Sequence, residues 1–324
     1  MKLTSMKKLL YIIIIINSVG CSSLLNKIAV QSTGAVLSEA NDEVLSEGNW
    51  EVFKNGLPGN LKLMEGLHFV DPTDKNVMSS LIKGYAGYAF VVNETMAMAE
   101  EFSDQDNRPN RDQAIYNYSK AVLYGEKFLK SYGVSLEEIL KKAGDKKQVN
   151  KYLDKVGTNK FERETLFFLA QAYGGLILFN RDDMSMISKR PMVKAIFDYV
   201  CAVDPDFNSG ACDIFEAVNL SLTPTMMGGN PSKGFEIFTN TIKKFPENYF
   251  VRIALMQFYS IPLEEEDVFK ENLVFLSGKE KEFKAKLEFS SKSNDNFSNN
   301  KINLFQSVAF KRLEILKKFK NKFF

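Results

Sequence analysis

Apolar residues recur at spacings of three and four along almost the whole chain, and turn residues break the pattern at intervals. The stretch MGGNPSKGFEIFTNTIKKFPENYF, residues 227–250, shows the logic. Gly228 and Gly229 suit a turn, Asn230 suits a helix N-cap and Pro231 the first helical position. Phe235, Phe238, Ile242 and Phe245 then fall on one helical face, and Lys243 and Lys244 sit in the last turn, where positive charge suits the helix dipole. Pro246 stops the helix, and Val251, Ala254, Leu255 and Phe258 mark the apolar face of the next. Two amphipathic helices joined by a short proline turn make a helical hairpin.

The same reading extends along the chain. Val77, Leu81, Tyr85, Tyr88, Val92, Thr95, Ala99 and Phe102 mark one long helix; Ile115, Tyr118, Val122, Gly125 and Leu129 mark another. Small helices are expected near 135–143 and 147–154. Residues 161–180, FERETLFFLAQAYGGLILFN, are apolar on nearly every side, which is the character of a helix buried in the middle of an all-helical body. A further helix starts near Pro191 and ends before VDPDFNS, and another spans about 208–222. Strand alternation is missing. Turns of similar form surround Pro72, Pro205 and Pro246; the last two lie 41 residues apart, a little above the tetratricopeptide period. The expected architecture is all-α, with irregular tetratricopeptide-like hairpins stacked into a curved body over residues 21–276. A single globular bundle is the alternative. Residues 277–300 turn polar and are expected to form a linker. The tail VAFKRLEILKKFKNKFF reads as a basic amphipathic helix that caps the last hairpin, with a membrane surface as its alternative partner.

The N-terminus has a different character. Lys2, Lys7 and Lys8 precede eight apolar residues, Leu9 to Ile16, and then NSVGC. A basic start, a short apolar run and small residues describe a secretory signal over residues 1–20, and the run is too short to span a bilayer. Cys21 after Gly20 has the form of a lipoprotein box, so lipidation of Cys21 is expected to anchor the chain to a membrane. Loss of residues 1–20 takes away three lysines and no acid, leaving 39 basic side chains against 40 acidic ones. A near-neutral chain gives no electrostatic footprint for nucleic acid. Export also permits a disulfide between Cys201 and Cys212 in CAVDPDFNSGAC, although spacing alone leaves two unbonded buried cysteines open.

Catalytic signatures are missing. There is no phosphate loop, nucleophile elbow or zinc-protease motif, and a single histidine, His68, with no ligand cluster beside it, points to neither metal nor cofactor. His68 sits at an expected helix end, where it suits the dipole. The run EEED at 264–267 reads as a helix N-terminus. The chain is therefore expected not to be an enzyme. A binding role fits better, with 27 phenylalanines among the aromatics. Candidates to line a concave face are Tyr85, Tyr88, Phe90, Tyr116, Tyr118, Tyr124 and Tyr173, and Lys62, Glu65, Tyr85, Tyr88 and Tyr173 are the expected ligand contacts. Lys62 and Glu65, one turn apart, suit either a cavity or a surface pair, and the tyrosines suit packing between hairpins equally well.

Several segments, in order, resemble the T-component proteins of TRAP transporters, which are tetratricopeptide-like bacterial lipoproteins. They are the lipoprotein box, LPGNLKLMEGL (57–67), SLIKGYAGYAFVVNE (80–94), AIYNYSKAVLYGEKFL (114–129), ETLFFLAQAYGGLILFNRDDM (164–184), PMVKAIFDYVCAVDPDF (191–207), MMGGNPSKGFEIFTNTI (226–242) and VRIALMQFYSIPLEEEDVFKENL (251–273). The resemblance implies a lipid-anchored accessory subunit on the periplasmic side of the bacterial envelope. It would work beside a periplasmic solute-binding P-component and handle a small hydrophobic or carboxylate-bearing ligand, and some members form rings, which implies a homo-oligomer. A general envelope scaffold for protein–protein interactions is the alternative function. Inner and outer membrane stay open.

Overall fold

We describe the protein from a computed structural model covering residues 24–104, 106–288 and 301–324. The signal segment and Cys21 lie outside the described residues. Within them the chain is all helix, with no strand.

Residues 24–39 form α1, followed by α2 (Asn41–Ser46), α3 (Trp50–Val70) and α4 (Lys75–Tyr88). A π-helical segment, Ala89–Glu94, leads without a break into α5 (Thr95–Phe102). Then come α6 (Pro109–Lys130), α7 (Leu136–Lys142), α8 (Lys146–Leu153), α9 (Lys160–Phe179), α10 (Met184–Ile187) and α11 (Arg190–Val203). The remainder is α12 (Ala211–Leu222), α13 (Pro231–Lys244), α14 (Tyr249–Leu255) with a second π-helical segment Met256–Ser260, α15 (Glu266–Lys286) and α16 (Asn303–Phe319).

Side-chain caps place the helix starts. Asn49, Asp74, Ser135, Asp145, Asn230 and Asn248 each accept from a backbone N–H in the first turn of the helix that follows. Asn159 and Glu162 form a reciprocal capping box at α9, each satisfying the other's backbone N–H at 3.0 and 3.2 Å. The start expected at 208 falls at 211 because Asn208, Ser209 and Gly210 all hold positive φ, of 47°, 54° and 102°. A left-handed residue cannot continue a right-handed helix. The glycine pair before α13 serves two purposes. Gly228 takes φ 91°, and Gly229 lies so close to the Thr223 carbonyl that a Cβ there would meet the oxygen at 1.7 Å.

Packing follows the chain. α3 lies on α4, α4 on α6, α6 on α9 and α9 on α11; after the left-handed turn, α12 lies on α13 and α13 on α14. The core is continuous, and α9 sits in its middle with Leu166, Leu169, Ala170 and Ala172 buried. Two expectations need correction at the C-terminal end. Residues 277–286 prolong α15 rather than opening a linker, and Phe283 is buried; residues 289–300 lie outside the described part. α16 covers more than the last hairpin. It packs on α14 and α15 and also on α2, α3 and α5, so it joins the two ends of the stack. Leu304, Val308, Phe310, Leu313 and Leu316 are all buried, because the apolar stripe of this helix finds partners on both sides.

At the centre of that contact lies Arg312, fully buried. Its Nε donates to Thr95 Oγ1 at 2.9 Å and its Nη1 to Gln257 Oε1 at 2.9 Å. Its Nη2 donates to Phe90 O at 3.0 Å and Glu94 Oε1 at 3.1 Å. The rings of Phe90 and Phe250 flank the guanidinium at 4.9 and 5.1 Å. Phe90, Glu94 and Gln257 belong to the two π-helical segments, where the altered hydrogen-bond register favours exposed backbone and unusual side-chain placement.

Candidate functional site

The inner faces of α3, α4, α9, α11 and α12 enclose a cavity of about 570 Å³. Its walls are predominantly apolar, with Phe90, Phe167, Phe197, Phe215 and Phe250 among them. Glycines make the space. Gly84, Gly87, Gly174 and Gly175 line it from α4 and α9. At Gly87 an added Cβ would meet nothing within 4 Å, whereas Gly175 is pressed against the Tyr118 ring. Gly87 thus keeps volume open, and Gly175 permits a close helix contact.

Few polar groups reach this interior. Glu94, the one acid in the lining among the described residues, receives Arg312 on one oxygen and Tyr118 Oη at 2.8 Å on the other. Burial raises the Tyr118 hydroxyl pKa well above its ordinary value, so it is held as a neutral donor. Four cations line the cavity. Lys83 pairs with Glu164 at 2.6 Å, Lys194 with Asp198 at 2.7 Å and Arg181 with Glu101 at 3.4 Å. Arg190, at the start of α11, has no acidic partner among the described residues. Its Nη2 donates to two neutral oxygens, Asn219 Oδ1 at 2.9 Å and Thr223 Oγ1. Gln171, also in the lining, keeps a buried Oε1 with no donor.

None of the candidates Lys62, Glu65, Tyr85, Tyr88 and Tyr173 lines this cavity. Three of them meet elsewhere, where α3, α4 and α6 join. Glu65 accepts from Lys62 at 2.6 Å, Lys120 at 2.7 Å, Tyr85 Oη at 2.8 Å and Tyr124 Oη at 3.0 Å. Partial burial alone would raise its pKa, but the hydrogen bonds from Lys120, Lys62, Tyr85 and Tyr124 outweigh that and hold it at about 2. His68 lies beside this cluster with its ring edge-on to Tyr124, centroids 5.1 Å apart. Burial and then Lys127 lower its pKa. Tyr88 stands apart, donating to Lys54 O at 3.2 Å, and Tyr173 is half-buried with its pKa raised first by burial. Lys120 and Tyr124 complete the Glu65 cluster; only their positions four residues apart on the face of α6 hinted at it. Of the aromatics named from sequence for a concave face, Phe90 and Tyr118 line the cavity, beside the glycines of GYAGYAF and AYGGL.

Cys201 near the end of α11 and Cys212 near the start of α12 are placed as a bonded pair, with Cα atoms 5.8 Å apart. Among the described residues no three metal-ligating side chains converge, and no helix is long and apolar enough to cross a membrane.

A family model described as TRAP transporter T-component matches residues 46–324, well over half of the chain. The chain belongs to the TRAP transporter T-component family. Membership places the protein among the components of a transport system, and the match takes in every helix from α3 onward, including α16. The T-component match therefore covers both the cavity walls and the helix that joins the ends of the stack. No curated protein matches the sequence.

Proposed function

We propose that the protein is a lipid-anchored accessory subunit on the periplasmic side of the envelope, which holds a small apolar or carboxylate-bearing solute and works with a solute-binding protein of a TRAP-type system. The observation that carries the reading is the cavity of about 570 Å³ inside a T-component chain. Its size is that of a small-molecule site, and its apolar walls favour a ligand whose transfer from water is itself favourable. The anchor is Cys21, and the basic and apolar run before it supports export.

Detergent extraction of the tagged full chain, followed by mass spectrometry, tests this. A solute-binding protein and an apolar solute are expected to be recovered together. Recovery of neither, from envelopes that contain the transporter, overturns the reading. Replacing Cys21 by Ala is expected to move the protein from the membrane fraction to the soluble one.

A further inference from the structure

We propose that Arg190 receives the carboxylate of an amphipathic monoanion whose apolar part fills the cavity. The inference rests on the reading that the cavity holds a ligand, and it names that ligand's chemical class.

The argument is one of charge. Lys83 and Lys194 are paired with acids at 2.6 and 2.7 Å, and the exposed Arg181 has Glu101 at 3.4 Å. Glu94 is satisfied by Arg312 and Tyr118. Arg190 alone among the lining cations lacks a carboxylate. A guanidinium has five N–H donors in a planar fork. Both of Arg190's bonds to the protein leave from one nitrogen, Nη2, towards neutral acceptors. The donors that remain, Nε–H and the two of Nη1, suit single charge-assisted bonds to a carboxylate.

The surroundings strengthen the case. Arg190 opens α11, a helix of 14 residues with no acid in its first turn, so the positive end of the dipole is unopposed there. Asn219 and Thr223 lie one turn apart on and just after α12 and hold the guanidinium in place. Thr223 is itself buried and fixed, with its N–H bonded to Asn219 O at 3.2 Å and its carbonyl covered by Gly229. The glycine turn before α13 therefore backs the anion site. A single unpaired cation in a predominantly apolar cavity selects one negative group and disfavours a dianion, whose second charge would meet no free cation among the described lining residues.

Calorimetric titration of the purified chain with octanoate and with 1-octanol tests the proposal, since the two share a tail and differ in charge. The wild-type chain is expected to bind octanoate about tenfold or more tightly than octanol, in keeping with a charge-assisted bond. Arg190→Met is expected to bring the two within about threefold by weakening octanoate alone. Arg190→Lys keeps the charge but loses the hold of Asn219 and Thr223 on the guanidinium, so it is expected to fall between them; it also serves if the methionine variant folds poorly. Gly87→Leu, which grows from an open Cβ position in the lining, is expected to abolish both. Equal affinities in the wild type, or an Arg190→Met chain that keeps the preference for octanoate, overturns the role of Arg190. Binding of neither compound overturns the cavity reading and the proposal with it. Binding of both that survives Gly87→Leu moves the site elsewhere and overturns the proposal too.

Discussion

Two side chains govern buried charge, and each makes a measurable prediction. Glu65 has its pKa held at about 2, against about 4.5 when unfolded. A carboxylate lowered in the folded state stabilises above its unfolded pKa, and that contribution disappears as pH falls towards 2. After allowance for solvent screening it is worth about 1 to 2 kcal/mol. Urea melts of Glu65→Gln are expected to lose that amount at pH 7 and to match the wild type near pH 2. A constant difference over the whole range would show that the carboxylate acts through packing alone. Arg312 has no solvent at all. Arg312→Met leaves Glu94 buried beside Tyr118 without its counter-ion, and is expected to cost about 3 to 5 kcal/mol. Adding Glu94→Gln should restore part of that loss. Simple additivity of the two changes would mean that the pair is not coupled.

At the scale of elements, glycines and caps decide where helices begin and how near they come. Gly229→Ala sets a Cβ against the Thr223 carbonyl, so a loss of about 2 kcal/mol or more is expected in thermal or chemical melts, larger than for a change at the open position Gly87. Gly87→Ala should hold or raise stability, since it gains helix propensity of up to about 1 kcal/mol and meets nothing. The cap at Asn230 and the proline at the start of α13 were legible in sequence because each acts within a few residues of itself. The end of α15 was not. Its last turns are polar and look like a linker, yet Phe283 finds Phe310 on α16 at 5.0 Å, a partner the local sequence does not announce. The three left-handed residues at 208–210 were missed for a similar reason: Asn248 Nδ2 donates to Ser209 O at 2.9 Å and holds the turn from another hairpin.

For the molecule as a whole, α16 and the cysteine pair close the stack. Ending the chain after residue 302 would remove the six buried large apolar side chains Leu304, Val308, Phe310, Leu313, Ile315 and Leu316, at about 1.5 to 3 kcal/mol each, which exceeds the usual margin of stability. The truncated chain is expected to lose its cooperative melt. For Cys201 and Cys212, the loop between them is short, so the bond is expected to contribute about 2 to 3 kcal/mol by restricting the unfolded chain. A mass 2 Da below the reduced value, shifted by reductant, checks the bond; a free-thiol count of two in the exported protein would refute it. The all-α class, most helices from α4 onward and the family resemblance could be read from sequence, because amphipathic periodicity, capping and proline turns are local properties. Lys62, Glu65 and Tyr85 meet in one cluster outside the cavity lining, because packing and not spacing decides which side of a helix faces the hollow. The cavity, Arg190's missing partner and the bridging role of Arg312 depend on groups tens to hundreds of residues apart. Only packing of the finished stack brings those groups together or leaves one of them unmatched.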